Sequence, residues 1–284
     1  MKLDAATFLL QWATGGLLFG WVTTRRREVS LGYGWLIRIV FGTFAAGAAA
    51  LFLTGDLGAA RVVAAVAALG CVVATGGALA VSVQRRRTGV RGREEIRAAR
   101  RARVSAMIGR AGEEGGERGA EFPPALDLIA PILGAGGLLA AAQFAGGPYL
   151  LAAARLAVGA VFLGSVSDAM LLGHWYLVQP GLPRGPLKEL VAWTAAAWPF
   201  ELAVFLWPTG MVQVLNGVID DGYHGVLGWI WIGCAVLTIG LVGLTWAALR
   251  ERYYSAVMAA TGLLYLAILT AFGTDLVARA VLRP

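Results

Sequence analysis

Residues 149–178 read YLLAAARLAVGAVFLGSVSDAMLLGHWYLV. A helix rises about 1.5 Å per residue and the hydrocarbon core of a bilayer is about 30 Å thick, so about 20 mostly apolar residues cross it. This run is longer than that and reads as a membrane-spanning helix. Its second half, Ser165–Val178, carries Asp168, His174 and the pair Trp175 and Tyr176. Ionisable groups at membrane depth are rare and are kept for a partner or a function, which makes this half the first candidate for a site.

Seven further apolar runs of spanning length flank it, at 5–23, 31–53, 59–83, 125–145, 187–208, 225–249 and 254–277. They predict an all-α polytopic integral membrane protein, a bundle of about eight transmembrane helices. The composition agrees: 58% of residues are hydrophobic, 14% are charged, and the mean hydropathy is +0.69. A soluble domain carries about 25% charged residues. The first apolar run is followed, not preceded, by arginines and has no small-x-small cleavage pattern, so it is expected to stay as a helix.

Charge sets the orientation. Arg25, Arg26 and Arg27 follow the first run, Arg85, Arg86 and Arg87 follow the third, and Arg184, Lys188, Arg250 and Arg252 lie in later turns on the same side. Segment 209–224 on the other side holds Asp220 and Asp221 and no lysine or arginine. The positive-inside rule therefore places the N-terminus outside and the arginines in the cytoplasm, and the expected location is the cell membrane. The net charge of +7 does not point to nucleic acid, because the arginines abut apolar runs without interleaved aromatics.

Three units follow: helices 1–3 in 1–83, a polar loop in 84–124, and helices 4–8 with the candidate site in 125–284. The loop is basic in Arg85–Arg110 and acidic and glycine-rich beyond it. Ile96, Val104, Met107 and Ile108 give its basic half an apolar stripe, which predicts an interfacial helix on anionic inner-leaflet lipids. Each basic residue there contributes about 1 kcal/mol. The acidic half is expected to be disordered. A short echo, LLFGW at 17–21 and LLGHW at 171–175, suggests a four-plus-four duplication as found in transporters built from repeats.

Depth along the helices selects the candidate residues. Asp168 falls about 15 Å, and Glu201 about 20 Å, from the cytoplasmic end of their runs. A mid-span aspartate costs roughly 2.5–3.5 kcal/mol, so both acids are expected to face the bundle interior as proton-handling groups. His174, about 6 Å from the cytoplasmic end, is expected to bind a ligand head with Trp175 and Tyr176, and Arg38 reaches a depth at which it could share that pocket. Snorkelling to headgroups is the bland reading of Arg38. Arg155, Asp275 and Arg279 fall at comparable depth near the outer face, where an ion-pair cluster or headgroup contacts are expected.

Several chemistries fail on geometry. Ser167 and His174 are about 10 Å apart along one helix, too far for a Ser-His-Asp triad. His224 lies across the membrane from His174, which excludes a bis-histidine haem. Cys71 and Cys234 are mid-span without Cys/His partners at metal spacing. The scarcity of Ser, Thr, Asn and Gln in helices 5–8 disfavours a polar-solute path. The expected function is an integral membrane subunit that binds a quinone or another isoprenoid or lipid, associated with a respiratory or electron-transfer complex and other membrane subunits. Alternatives are a proton-coupled secondary transporter and a non-catalytic membrane scaffold.

Overall fold

The computed structural model describes residues 4–55, 58–85, 122–179, 181–207, 210–251 and 253–282. The interfacial helix expected in 84–124 falls almost wholly outside them. Eight helices are long and apolar enough to cross a membrane. They are α1 (Ala5–Thr24), α2 (Leu31–Leu53), α3 (Ala59–Arg85), α4 (Ile129–Ala141, led in by a 3-10 turn, Pro124–Leu128), α5 (Tyr149–Val178), α6 (Gly185–Leu206), α7 (Val226–Arg250) and α8 (Tyr254–Val281). A short helix, Met211–Leu215, lies between α6 and α7.

Local chemistry sets the ends. Asp4 caps α1, its carboxylate accepting from the Thr7 N–H at 3.0 Å. Pro186 stands at the start of α6, where its missing N–H costs nothing. The fourth run is helical for less of its length than expected, because backbone bonds from Gln143 and Phe144 to Ala140 and Ala141 tighten the chain into a turn before Gly146 and Gly147, both at positive φ. Many large apolar side chains face outwards, among them Val66, Val73, Phe200, Leu237 and Leu244. That distribution suits lipid as the solvent, since apolar side chains gain nothing there by turning inwards.

The helices pack as two rings. In the first, α1 meets α2, α2 meets α3, α3 meets α4 and α4 returns to α1; in the second, α5, α6, α7 and α8 close in the same order. The fourth helix belongs to the first ring, because α4 packs on α1 and α3 and hardly on α5. This is a four-plus-four arrangement. Between the rings, α1 and α5 meet at Gly15 and Gly164.

The α1–α5 crossing joins the rings. A Cβ on Gly15 would stand 1.8 Å from the Ala160 carbonyl oxygen, and one on Gly164 would stand 2.3 Å from the Gly15 carbonyl carbon. Backbone touches backbone there, which only glycine permits. Gly15→Ala must push α1 off α5 and is expected to cost about 1–3 kcal/mol, read as a lowered melting temperature in detergent. Unchanged melting would mean that the crossing is looser than this.

Ion pairs mark one end of the bundle. Arg25 and Arg26 both reach Glu189, at 2.5 and 3.4 Å, and Arg184 donates to the Tyr253 carbonyl at 2.9 Å. The positive-inside rule reads this basic end as the cytoplasmic one and its opposite as the outer one. At the opposite end Asp221 organises the turn before α7, accepting from the N–H groups of Tyr223, Gly225 and Leu227 at 2.8–2.9 Å. Desolvation pulls its carboxyl up, and those amides with that of Gly228 outweigh it, so the group sits below the ordinary carboxylate value. A depressed folded value adds stability above the unfolded value and loses it as pH falls through the folded one. Amide exchange at Gly225 and Leu227 is therefore expected to accelerate in acid below the ordinary aspartate range. An exchange rate set only by intrinsic chemistry through that range would refute this.

Candidate functional site

Polar groups inside the bundle fall at three levels. Near the outer end, Asp275 and Arg279, one turn apart on α8, form a bidentate pair at 2.6 and 3.0 Å. Arg279 also donates to Gln11 Oε1 of α1. That contact crosses from one ring to the other, and Gly159 of α5 makes it possible: a Cβ there would stand 2.2 Å from Gln11 Nε2. Arg155 donates to the Val204 carbonyl at 2.8 Å and lies over the Phe205 ring. Glu201 completes the cluster. Its carboxyl is fully buried beside that of Asp275 and within the field of Arg279, and neither oxygen has a hydrogen-bond donor among the described residues.

Asp168 occupies the middle level. It is fully buried, and both carboxylate oxygens lack a hydrogen-bond partner among the described residues. It faces the first ring: a Cβ on Gly20 would lie 4.0 Å from Oδ2, and the Tyr33 hydroxyl donates to the Asp168 backbone oxygen at 3.4 Å. The serines of the same helix are used for packing. Ser167 accepts from the Trp12 indole at 2.8 Å, and Ser165 accepts from Thr194 of α6 at 3.0 Å.

The third level lies towards the basic end. Arg38 of α2 grips Asp127 of the 3-10 turn with two bonds, Nε to Oδ1 at 2.8 Å and a terminal nitrogen to Oδ2 at 2.7 Å. Both side chains are buried, and the guanidinium lies 4.6 Å from the Phe122 ring centroid. Arg38 neither snorkels nor shares a pocket with His174.

The ligand-head constellation expected from the sequence does not assemble. His174, Trp175 and Tyr176 are consecutive on a helix and diverge by about 100° per step. His174 is exposed on the outside of the bundle, where Nδ1 meets the Tyr265 hydroxyl of α8 at 3.0 Å. The Trp175 indole donates to Ser30 Oγ at 2.9 Å and Gln179 Oε1 at 3.1 Å, and its ring lies against Gly32. Tyr176 donates to the Pro183 carbonyl at 2.6 Å. The two aromatics thus tie the α5–α6 turn to the start of α2. Asp168 and Glu201 are also separated, one facing the first ring and the other inside the second. His224, in the outer turn at φ 54°, completes no cation site: no group of three or more His, Cys, Asp or Glu able to hold a metal occurs among the described residues.

Two apolar grooves run along α5. One of about 360 Å³ lies between α4 and α5 over α1, with Gly15, Leu18, Ile132, Leu139 and Ala157 on its walls. The other, of about 270 Å³ between α5 and α6, shares Ala157 and Val161 with the first and adds Trp193 and Phe200. No ionisable residue lines either.

The fold and these levels define a polytopic helical membrane protein with buried ionisable clusters. Comparison with protein-family models, with curated proteins and with solved structures gives no match to this chain.

Proposed function

We propose that this chain is a membrane subunit that handles protons through Asp168 and Glu201 and works with a hydrophobic ligand of the quinone or other isoprenoid class. Asp168 carries the reading. A carboxyl held in the bundle without a hydrogen-bond donor is costly to folding whether ionised or neutral. It serves a protein best as a group that is neutral at rest and charged briefly when its proton moves. Glu201, buried without a hydrogen-bond donor among the described residues near the Asp275–Arg279 pair, supplies a second station nearer the outer end.

The ligand class rests on the grooves. Their volumes approach or fall within the 300–1,000 Å³ common for small-molecule sites, and their walls suit a prenyl or acyl chain and no polar solute. Ala157 stands on both grooves, so Ala157→Trp is expected to fill them. The test is extraction of the purified protein. A stoichiometric isoprenoid in the parent and its depletion in Ala157→Trp support the ligand reading, and no isoprenoid in the parent removes it. Proton handling is read separately, as dye-reported proton flux in reconstituted vesicles.

A proton-coupled secondary transporter is the second reading, favoured by the two four-helix rings. Against it, each of the polar cavities beside Arg38 has room for no more than about one water. Solute uptake driven by a pH gradient and lost in Asp168→Asn would decide for it.

A further inference from the structure

The connection between α6 and α7 leaves large apolar side chains uncovered at the outer end of the bundle. Trp207, Val218 and Trp229 are 75%, 73% and 72% exposed, and Tyr223 is 64% exposed. The short helix Met211–Leu215 is apolar on both sides: Met211 and Val214 are buried in one cluster with Phe205 and Trp231, while Val212 and Leu215 are exposed. In water such a patch invites association, so its presence calls for an occupant.

Depth and continuity say which. Measured along α6 and α7 from the basic end, Trp207 and Trp229 stand at about 33 Å and about 32 Å, the level at which a hydrocarbon core of about 30 Å gives way to headgroups. On α7 the exposed positions Val226, Trp229, Ile230, Val236, Leu237 and Leu244 recur at helical spacing. One apolar stripe therefore runs from the lipid-facing middle of the helix into the patch. Charge narrows the choice further. No lysine or arginine occurs between Trp207 and Trp229 to attract an anionic surface. The two acids there are turned to the backbone, Asp220 accepting from the Gly222 N–H at 2.9 Å and Asp221 from those of Tyr223, Gly225 and Leu227.

We infer that the short helix and the residues after it as far as Ile219 lie in the outer headgroup layer of the bilayer, fastened by Trp207 and Trp229, with uncharged or zwitterionic headgroups as their partner. Indole suits that layer because its ring is apolar and its N–H finds a headgroup or water. Asp220 is where the chain leaves the layer for water.

The experiment places nitroxides, one at a time, on Val212→Cys, Leu215→Cys, Val218→Cys and Asp220→Cys in the full chain carrying Cys71→Ala and Cys234→Ala, reconstituted in phosphatidylcholine vesicles. Collisions with oxygen, which concentrates in lipid, are read against collisions with a nickel chelate, which stays in water. The oxygen-to-nickel ratio at the first three positions is expected to exceed that at Asp220→Cys several-fold, and to hold when phosphatidylglycerol is added. Ratios as low as that at Asp220→Cys would put the segment in water and overturn the inference. Labels reached by neither collider would mean that a protein covers the face, and a ratio that rises only with phosphatidylglycerol would mean an anionic partner; either result overturns it too. Should the cysteine-free background fail to fold, Trp207→Phe and Trp229→Phe in the natural chain answer the same question. Each is expected to lose part of the emission that brominated phosphatidylcholine quenches, and unchanged quenching in both would refute the placement.

Discussion

Asp168→Leu is expected to raise the melting temperature of this protein, or leave it unchanged, while abolishing its proton movement. The two outcomes have one origin. The carboxyl is buried without a donor, so the folded state carries an unmet desolvation cost of about 1–3 kcal/mol that an apolar side chain removes. Asp168→Asn keeps the shape and loses the exchangeable proton, which separates packing from chemistry. Thermal unfolding in detergent and vesicle proton flux measure the two sides. A residue kept for packing gives the opposite pattern, with lowered melting and normal flux, and that result would install the scaffold reading in place of ours.

Asp127→Ala is expected to act in the other direction, destabilising the fold by about 3–5 kcal/mol. Asp127 is the partner of a buried guanidinium, and removing one member of a buried pair leaves the other charged and unmatched. The double change Arg38→Met with Asp127→Leu is expected to recover most of that loss, because replacing a buried ion pair by apolar groups of similar volume is often neutral or better. Denaturation of the parent, Arg38→Met, Asp127→Leu and the double variant forms a double-mutant cycle. If Asp127→Ala alone were neutral, water would have to reach Arg38 freely from the basic end.

The spans are legible in the sequence because hydropathy over about 20 residues reports the lipid solvent directly. Partners were not legible. Asp127 lies in the 3-10 turn that opens the fourth span, where an acid looks like a boundary residue, and only the fold puts Arg38 of α2 against it. Gln11 carries no charge and drew no notice, yet it joins the outer cluster past Gly159. Depth alone put Glu201 at the level of Asp168, whereas packing gives it to Asp275 and Arg279. His174 faces outwards; rarity marks a histidine in an apolar run but says nothing of which way it points.

The bond from Arg279 to Gln11 spans a sequence separation of 268 residues and ties the first spanning helix to the eighth. Helices enter a bilayer in order of synthesis, so Gln11, Arg155 and Glu201 are all delivered to the membrane before the guanidinium of Arg279 has been translated. Until α8 arrives, the half-built bundle holds an amide, a cation and an acid without the Asp275–Arg279 pair that completes their cluster. Insertion of α8 is thus the step that completes the cluster and fastens the first helix to the last.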